Sequence, residues 1–247
     1  MNTRTDVHTF TPGILHAIVL MLLSSLTPVA MSSNDDPHYT AAGFFDIHVC
    51  NWPGRPPFLM PLFSTARFNE VQSIEVINPR GDRLVELDLK RYRTIKRDQQ
   101  PDKRVFIKQI DIPPTAPDGW YSARITLISG EEFIAQDYVI RHMLPQAAGQ
   151  VPAHEEHVME IPTKLSWEPV PGANYYQVFI RDLWNDDQLI HTSELLTRPE
   201  LELPPGLLKK GGYYSWIIHS RDSNSHILLG DFNHGSLNKP ATFSVSE

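Results

Sequence analysis

Apolar and polar side chains alternate in short runs along most of this chain, and a period of two residues predicts half-buried β-strands rather than helices. Phe45, Ile47 and Val49 alternate with Asp46, His48 and Cys50. Further runs at 58–64, 73–77, 84–89, 105–112, 120–127 and 133–140 are separated by Pro- and Gly-bearing turns such as Asn78-Pro79-Arg80-Gly81-Asp82 and Ser129-Gly130-Glu131. About seven strands in roughly a hundred residues is the density of a β-sandwich. Pro61 lies inside the second run, and since proline cannot donate to a ladder it predicts an edge position or a bulge.

The pattern lapses over 143–158, where Pro145, Gly149 and Pro152 fall, and then resumes. Leu165 and Trp167 open the second stretch, and Pro169-Val170-Pro171-Gly172 turns into the run 175–181. Asn185-Asp186-Asp187 marks a hairpin with a return strand at 188–192, and Leu201 and Leu203 precede Pro204-Pro205-Gly206. Tyr214, Trp216 and Ile218 then alternate, and 241–245 closes the series. The chain is thus expected to be all-β, two tandem antiparallel β-sandwiches. The expected division is a signal peptide at 1–32, a flexible leader at 33–43, a sandwich at 44–142, a linker at 143–158 and a second sandwich at 159–247.

Two local motifs carry resemblances. Asp118-Gly119-Trp120-Tyr121-Ser122-Ala123 resembles the tyrosine corner of immunoglobulin-like domains, with Ala123 standing where a disulfide-bearing member has its second cysteine. The first half is therefore similar to the disulfide-free immunoglobulin-like sandwiches of exported bacterial proteins. Over about 160–246 the order of elements resembles a fibronectin type III domain. Trp167 matches the tryptophan that packs between that family's sheets, and Leu203-Pro204 with Tyr214 matches its leucine-proline corner and core tyrosine. Residues 222–238 are longer than the usual connection between the last two strands. The resemblance implies binding or spacing and not catalysis, and a fold alone does not name a partner.

The N-terminus reads as a targeting segment. Arg4 precedes an apolar run from Gly13 to Leu26, Pro28 ends it, and Ala30-Met31-Ser32 offers small residues at a cleavage spacing. The run is shorter than the roughly 20 residues a spanning helix needs, so cleavage is favoured over retention as an anchor. The single cysteine, Cys50, leaves no intramolecular disulfide, and no Asn-x-Ser/Thr sequon occurs. An exported protein of bacterial type, periplasmic or extracellular, is the expectation.

Charge narrows the partner. The net charge of −7 argues against a nucleic-acid binder, which normally carries a basic face. Residues 44–145 hold 14 Lys/Arg against 13 Asp/Glu, whereas 146–247 hold 7 against 13. Within the balanced half the cations cluster: Lys90, Arg91, Arg93, Lys96 and Arg97 surround Tyr92, a surface for an acidic partner, an anionic glycan or lipid headgroups if it is more than a solvated loop. Trp52 and Trp184 fall on expected loops and, if exposed, would stack on sugars or anchor an interface. Trp120, Trp167 and Trp216 read as core.

Other candidates have plainer readings. Arg80-Gly81-Asp82 is an adhesion tripeptide whose glycine also simply makes a turn. His154 and His157, and the scattered His219, His226 and His234, lack the spacing of a zinc motif. Asp182, Asn185, Asp186 and Asp187 supply oxygens but no calcium-loop spacing, and Asp and Asn favour turns in any case. No Walker loop, nucleophile elbow or dinucleotide fingerprint is present. The expectation is an exported, non-catalytic interaction module without cofactor or metal, binding a protein partner through its inter-strand loops. A carbohydrate-binding accessory role and a metal-binding protein or enzyme using the loop histidines stand as alternatives.

Overall fold

Eighteen strands form among the described residues of the computed structural model, which are 36–96, 98–112, 116–222 and 233–247. No helix is present among them, so the chain is all-β as its pattern predicts. In order they are β1 (Tyr39–Thr40), β2 (Gly43–Asn51), β3 (Phe58–Thr65), β4 (Val71–Ile77), β5 (Arg83–Glu86) and β6 (Tyr92–Ile95). Then come β7 (Lys103–Ile107), β8 (Ile110–Asp111), β9 (Gly119–Leu127), β10 (Glu132–Val139), β11 (Glu156–Val158) and β12 (Lys164–Ser166). The last six are β13 (Tyr175–Asp182), β14 (Gln188–Thr192), β15 (Glu200–Glu202), β16 (Tyr213–Arg221), β17 (His234–Leu237) and β18 (Ala241–Val245).

A first hydrophobic core lies between two sheets. One contributes Phe45, Ile47 and Val49 of β2, Leu59 and Phe63 of β3, and Phe106 of β7. The other, in the order β10-β9-β4-β5, contributes Ile74, Val76, Tyr121, Ile125 and Ala135 among others. Tyr121 is fully buried and its hydroxyl donates to the carbonyl of Pro117 (2.9 Å), which is the bond a tyrosine corner makes. A second core gathers Leu165, Trp167, Tyr176, Val178, Trp216, Ile218 and Phe243. Here Tyr214 is buried and its hydroxyl accepts from the backbone N–H of Lys209 (2.8 Å).

The two cores are not joined by a loose tether. β17 pairs with β16 on one side and, in parallel, with β2 on the other, matching His234 to Val49, Gly235 to Cys50 and Ser236 to Asn51. One twelve-stranded sheet therefore runs through both halves, with the path β11-β18-β16-β17-β2-β3-β7-β6. The β11–β18 pairing is also parallel, so the sheets are not purely antiparallel as expected.

Several further expectations are corrected. The described part of the leader is packed and not flexible: Phe45 N–H donates to His38 O (2.9 Å) and Gln136 N–H to Pro37 O (2.8 Å), tying the segment across β2 and β10. The stretch 143–158 is not a free linker, because Leu144 and Ala147 enter the second core, Val151 bridges Ser166 and β11 lies within it. Pro61 is interior and not at an edge. It sits where the neighbouring strand breaks between β7 and β8, so its missing donor costs no ladder bond there.

Candidate functional site

The basic cluster is the outermost strand of the long sheet and not an inter-strand loop. Among the described residues β6 pairs only with β7, Tyr92 opposite Phe106 and Arg93 opposite Val105, and all four of its residues are exposed. Lys90, Arg91 and Lys96 flank it and are exposed as well, while Arg97 lies outside the described residues. Period-two geometry puts Arg93 on the same outer face as Val105 and Ile107 of β7 and Met60 of β3. These side chains, with Trp52 and Tyr92, line a groove of about 890 Å3.

Aromatic and cationic groups pack around Tyr92, Trp52 and Gln109, three of the groove's lining residues, from outside the lining. The Arg104 guanidinium lies between two rings, 4.1 Å from the centroid of Phe68 and 4.0 Å from that of Tyr92. Trp52 meets Phe58 edge-on at 4.9 Å, and Arg55 covers the Phe58 ring at 3.8 Å while donating to Gln109 Oε1 (2.6 Å). Such contacts hold long cationic stems in place. Against Arg91, Arg93 and Lys108 the lining sets one carboxylate, Asp88, which is 3.7 Å from Arg91. The groove is cationic with an apolar floor. Trp52 and the β6 cations thus converge, whereas Trp184 stands apart on the β13–β14 turn, 72% exposed and 5.8 Å from Tyr213.

Trp120, expected in the core, is on the surface. Tyr121 points inward, so its neighbour must point outward, and Trp120 is 41% exposed on the outer face of the four-stranded sheet, where Tyr138 braces it edge-on at 5.2 Å. The sequence held this signal: once Tyr121 is read as the corner tyrosine, the alternation decides Trp120. Trp167 and Trp216 are buried as expected.

A row of polar groups crosses the junction on the outer face of the shared sheet. Asp46 Oδ2 lies 2.7 Å from His48 Nε2, and Arg221 donates to His219 Nδ1 (3.1 Å) and to Gln177 Oε1 (2.7 Å). Burial, with the charges of Arg221 and His48, pushes the His219 pKa down to about 3, so the ring is neutral. Burial likewise lifts the Cys50 thiol to about 12, which keeps it protonated and unreactive.

The remaining candidates fall into ordinary roles. His219 and His234 lie on opposite faces, since Gly235 shares the face of Arg221 and His219; His234 instead bonds Asp222 and the carbonyl of Ile140. His226 lies outside the described residues. His154 and His157 occupy no helical turn but bond Thr242, Ser244 and Ser246 along β18. Among the described residues no group of three or more His, Cys, Asp or Glu is placed to hold a metal ion. Asp186 and Asp187 take the left-handed conformation of a turn, at φ 51° and 55°. Asn78 Oδ1 accepts from the N–H groups of Arg80 and Asp82, giving that tripeptide a turn's geometry.

One constellation went unseen. His38 is buried with Nδ1 2.6 Å from Asp36 Oδ1 and Nε2 3.1 Å from Asp137 Oδ1, while Ile47 N–H donates to Asp137 Oδ2 (2.8 Å). Burial alone would lower the His38 pKa, but the hydrogen bonds and charges of Asp137 and Asp36 outweigh it and raise it to about 9. His38 and Asp137 are 99 residues apart, so no local spacing announces them.

No family model matches the chain. No curated protein matches it either. Among solved structures it is similar to Escherichia coli alpha-2-macroglobulin activated by porcine elastase, at 14% identity over 83% of this chain and 20% of that one, with a TM-score of 0.28. It is similar to latent PorU from Porphyromonas gingivalis at 13% identity over 82% of this chain and 20% of that one, with a TM-score of 0.30. A complex of Dpr11 IG1 with DIP-gamma IG+IG2 gives 13% identity over 82% of this chain and 98% of that one, with a TM-score of 0.24. The chain spans about a fifth of the length of the alpha-2-macroglobulin and PorU chains.

Proposed function

We propose that the chain is an exported, non-catalytic interaction module that receives an acidic, extended segment of a partner protein along β6. The observation that carries this is an outermost strand whose residues are all exposed and which borders a cationic groove with aromatic walls. An open edge offers a ladder of unpaired backbone groups, and a peptide that adds there gains main-chain hydrogen bonds while adjacent pockets select its side chains. Cations on an edge also repel a second copy of the same edge. A partner strand bearing Asp or Glu removes that repulsion, so the surface discriminates against self-pairing and in favour of an acidic guest. Export rests on the 1–32 segment, the non-catalytic role on the binding or spacing that the family resemblance implies, and the reading of the second core as fibronectin type III-like on Trp167 and Tyr214.

A photoreactive side chain placed at position 94 tests this in the producing cell. The expected result is a covalent adduct with one exported protein, reduced at least tenfold when Arg91→Glu, Arg93→Glu and Lys96→Glu are combined. No adduct, or one indifferent to charge reversal, would refute it.

A further inference from the structure

On the opposite side of the first core, the outer face of β10-β9-β4-β5 carries a second, chemically different depression. Its volume is about 380 Å3, at the small end of the roughly 300–1,000 Å3 typical of ligand sites. The pairing register sets three rows across it: Tyr138 beside Trp120, then Gln136, Ser122 and Ile77, then Ile134, Arg124 and Glu75. Trp120 and Ile134 are both exposed, and each is flanked by hydrogen-bonding side chains. Gln136 Nε2 donates to Ser122 Oγ (3.2 Å), which orients the amide and hydroxyl in the middle of the floor.

The charge of this depression separates it from the groove beside β6. Its single charged lining residue is Arg124, whose guanidinium lies 3.5 Å from Glu75, and Glu75 is met also by Arg83 at 3.0 Å. Arg83 is paired with Glu86 as well, so two arginines face two carboxylates; an acidic guest gains little here and a charged one of either sign would have to break these pairs. What remains is an indole face, an aliphatic side chain, an amide and a hydroxyl. A pyranose ring complements that set: its axial C–H groups pack on the indole, and its equatorial hydroxyls exchange hydrogen bonds with Ser122, Gln136 and Arg124.

We infer that the Trp120 depression is a binding site for a neutral oligosaccharide. This site is independent of the β6 groove and shares no residue with it, so either can fail without the other. It also relocates the aromatic platform: Trp52 is committed to Phe58, and Trp184 packs against Tyr213 outside this depression's lining.

The test uses the full chain with neutral probes, namely cellotriose, maltotriose, xylotriose and chitotriose, read by saturation-transfer NMR and titration calorimetry. At least one is expected to bind, with Trp120→Ala weakening it tenfold or more, Trp120→Phe retaining part of the affinity, and Trp184→Ala leaving it unchanged. Trp120 is exposed, and unchanged far-UV dichroism of the variants confirms that they remain folded. Failure of all four probes to bind, equal binding by Trp120→Ala, or capture of a protein through Trp120 with no sugar response would each overturn the inference.

Discussion

His38 shows what a single buried side chain does here. Its ring joins Asp36, at the start of the described chain, to Asp137 on β10, and Asp137 in turn accepts from β2. The folded-state pKa of about 9 exceeds the ordinary value of 6.5, so the ring binds its proton more tightly when folded. That stabilisation is complete below about pH 6.5 and is lost as pH rises through about 9. His219 has the opposite sign: its folded value of about 3 means that folding disfavours its proton, so its stabilisation is present above pH 6.5 and lost as pH falls toward 3. Urea titrations from pH 4 to 10 are expected to show a stability maximum near neutrality, with an alkaline decline on the order of 1–3 kcal/mol. In His38→Gln the alkaline decline disappears, and the variant is weaker at pH 7 by about 3 kcal/mol because two buried carboxylates lose their partner. An unchanged alkaline limb would show that the clamp does not titrate. Tyr121 was legible from its local motif, whereas the clamp was not, because Asp137 of β10 reaches the local Asp36–His38 pair only through tertiary packing.

Among the elements, alternation located those strands that bury one face. β9 and β13 bury one alternate set of positions, β2 and β16 bury such a set together with Asp46, Cys50 and Ser215 on the opposite face, and Val71 of β4 falls out of phase where the register shifts. β6 buries no such set, since every one of its residues is exposed and its partner β7 supplies the ladder. A strand defined only by backbone pairing leaves no hydrophobic period to read. β11 and β17 escaped for a related reason: each is short and gains its place from a parallel neighbour far away in sequence. β17 is also sterically exacting. A Cβ at Gly235 would stand 2.5 Å from His219 Nε2, and that ring is held by Arg221. Gly235→Ala is expected to destabilise the protein by about 1–3 kcal/mol in equilibrium denaturation. Gly206→Ala is strained by its φ of 78° but meets nothing nearby, so its smaller loss sets the scale for backbone effects alone.

For the whole molecule, the consequence of the shared sheet is cooperativity. Two cores that only touched through a tether would unfold separately, as modules with small interfaces do. Here β17 is a common wall, and Asn51 of the first half donates to the carbonyl of Leu144 (3.0 Å) beside it. Calorimetry of the intact chain is expected to give one transition, with van't Hoff and calorimetric enthalpies in agreement. Two resolved transitions would mean that the parallel pairing contributes little. The all-β class and the two apolar cores were readable from the sequence, because burial imposes a period. The fusion was not readable, because β2 and β17 pair through the backbone of Val49, Cys50, His234 and Gly235, and main-chain pairing has no compositional signature.

The parallel seam also bears on synthesis. The first core takes its last residue, Val139, about ninety-five positions before β17 begins at His234. At elongation rates of about 5–20 residues per second, β2 waits roughly 5–20 s with part of its margin uncovered while the ribosome finishes the second half. A nascent chain stalled in that interval would present the raw border most prone to pairing with a stranger.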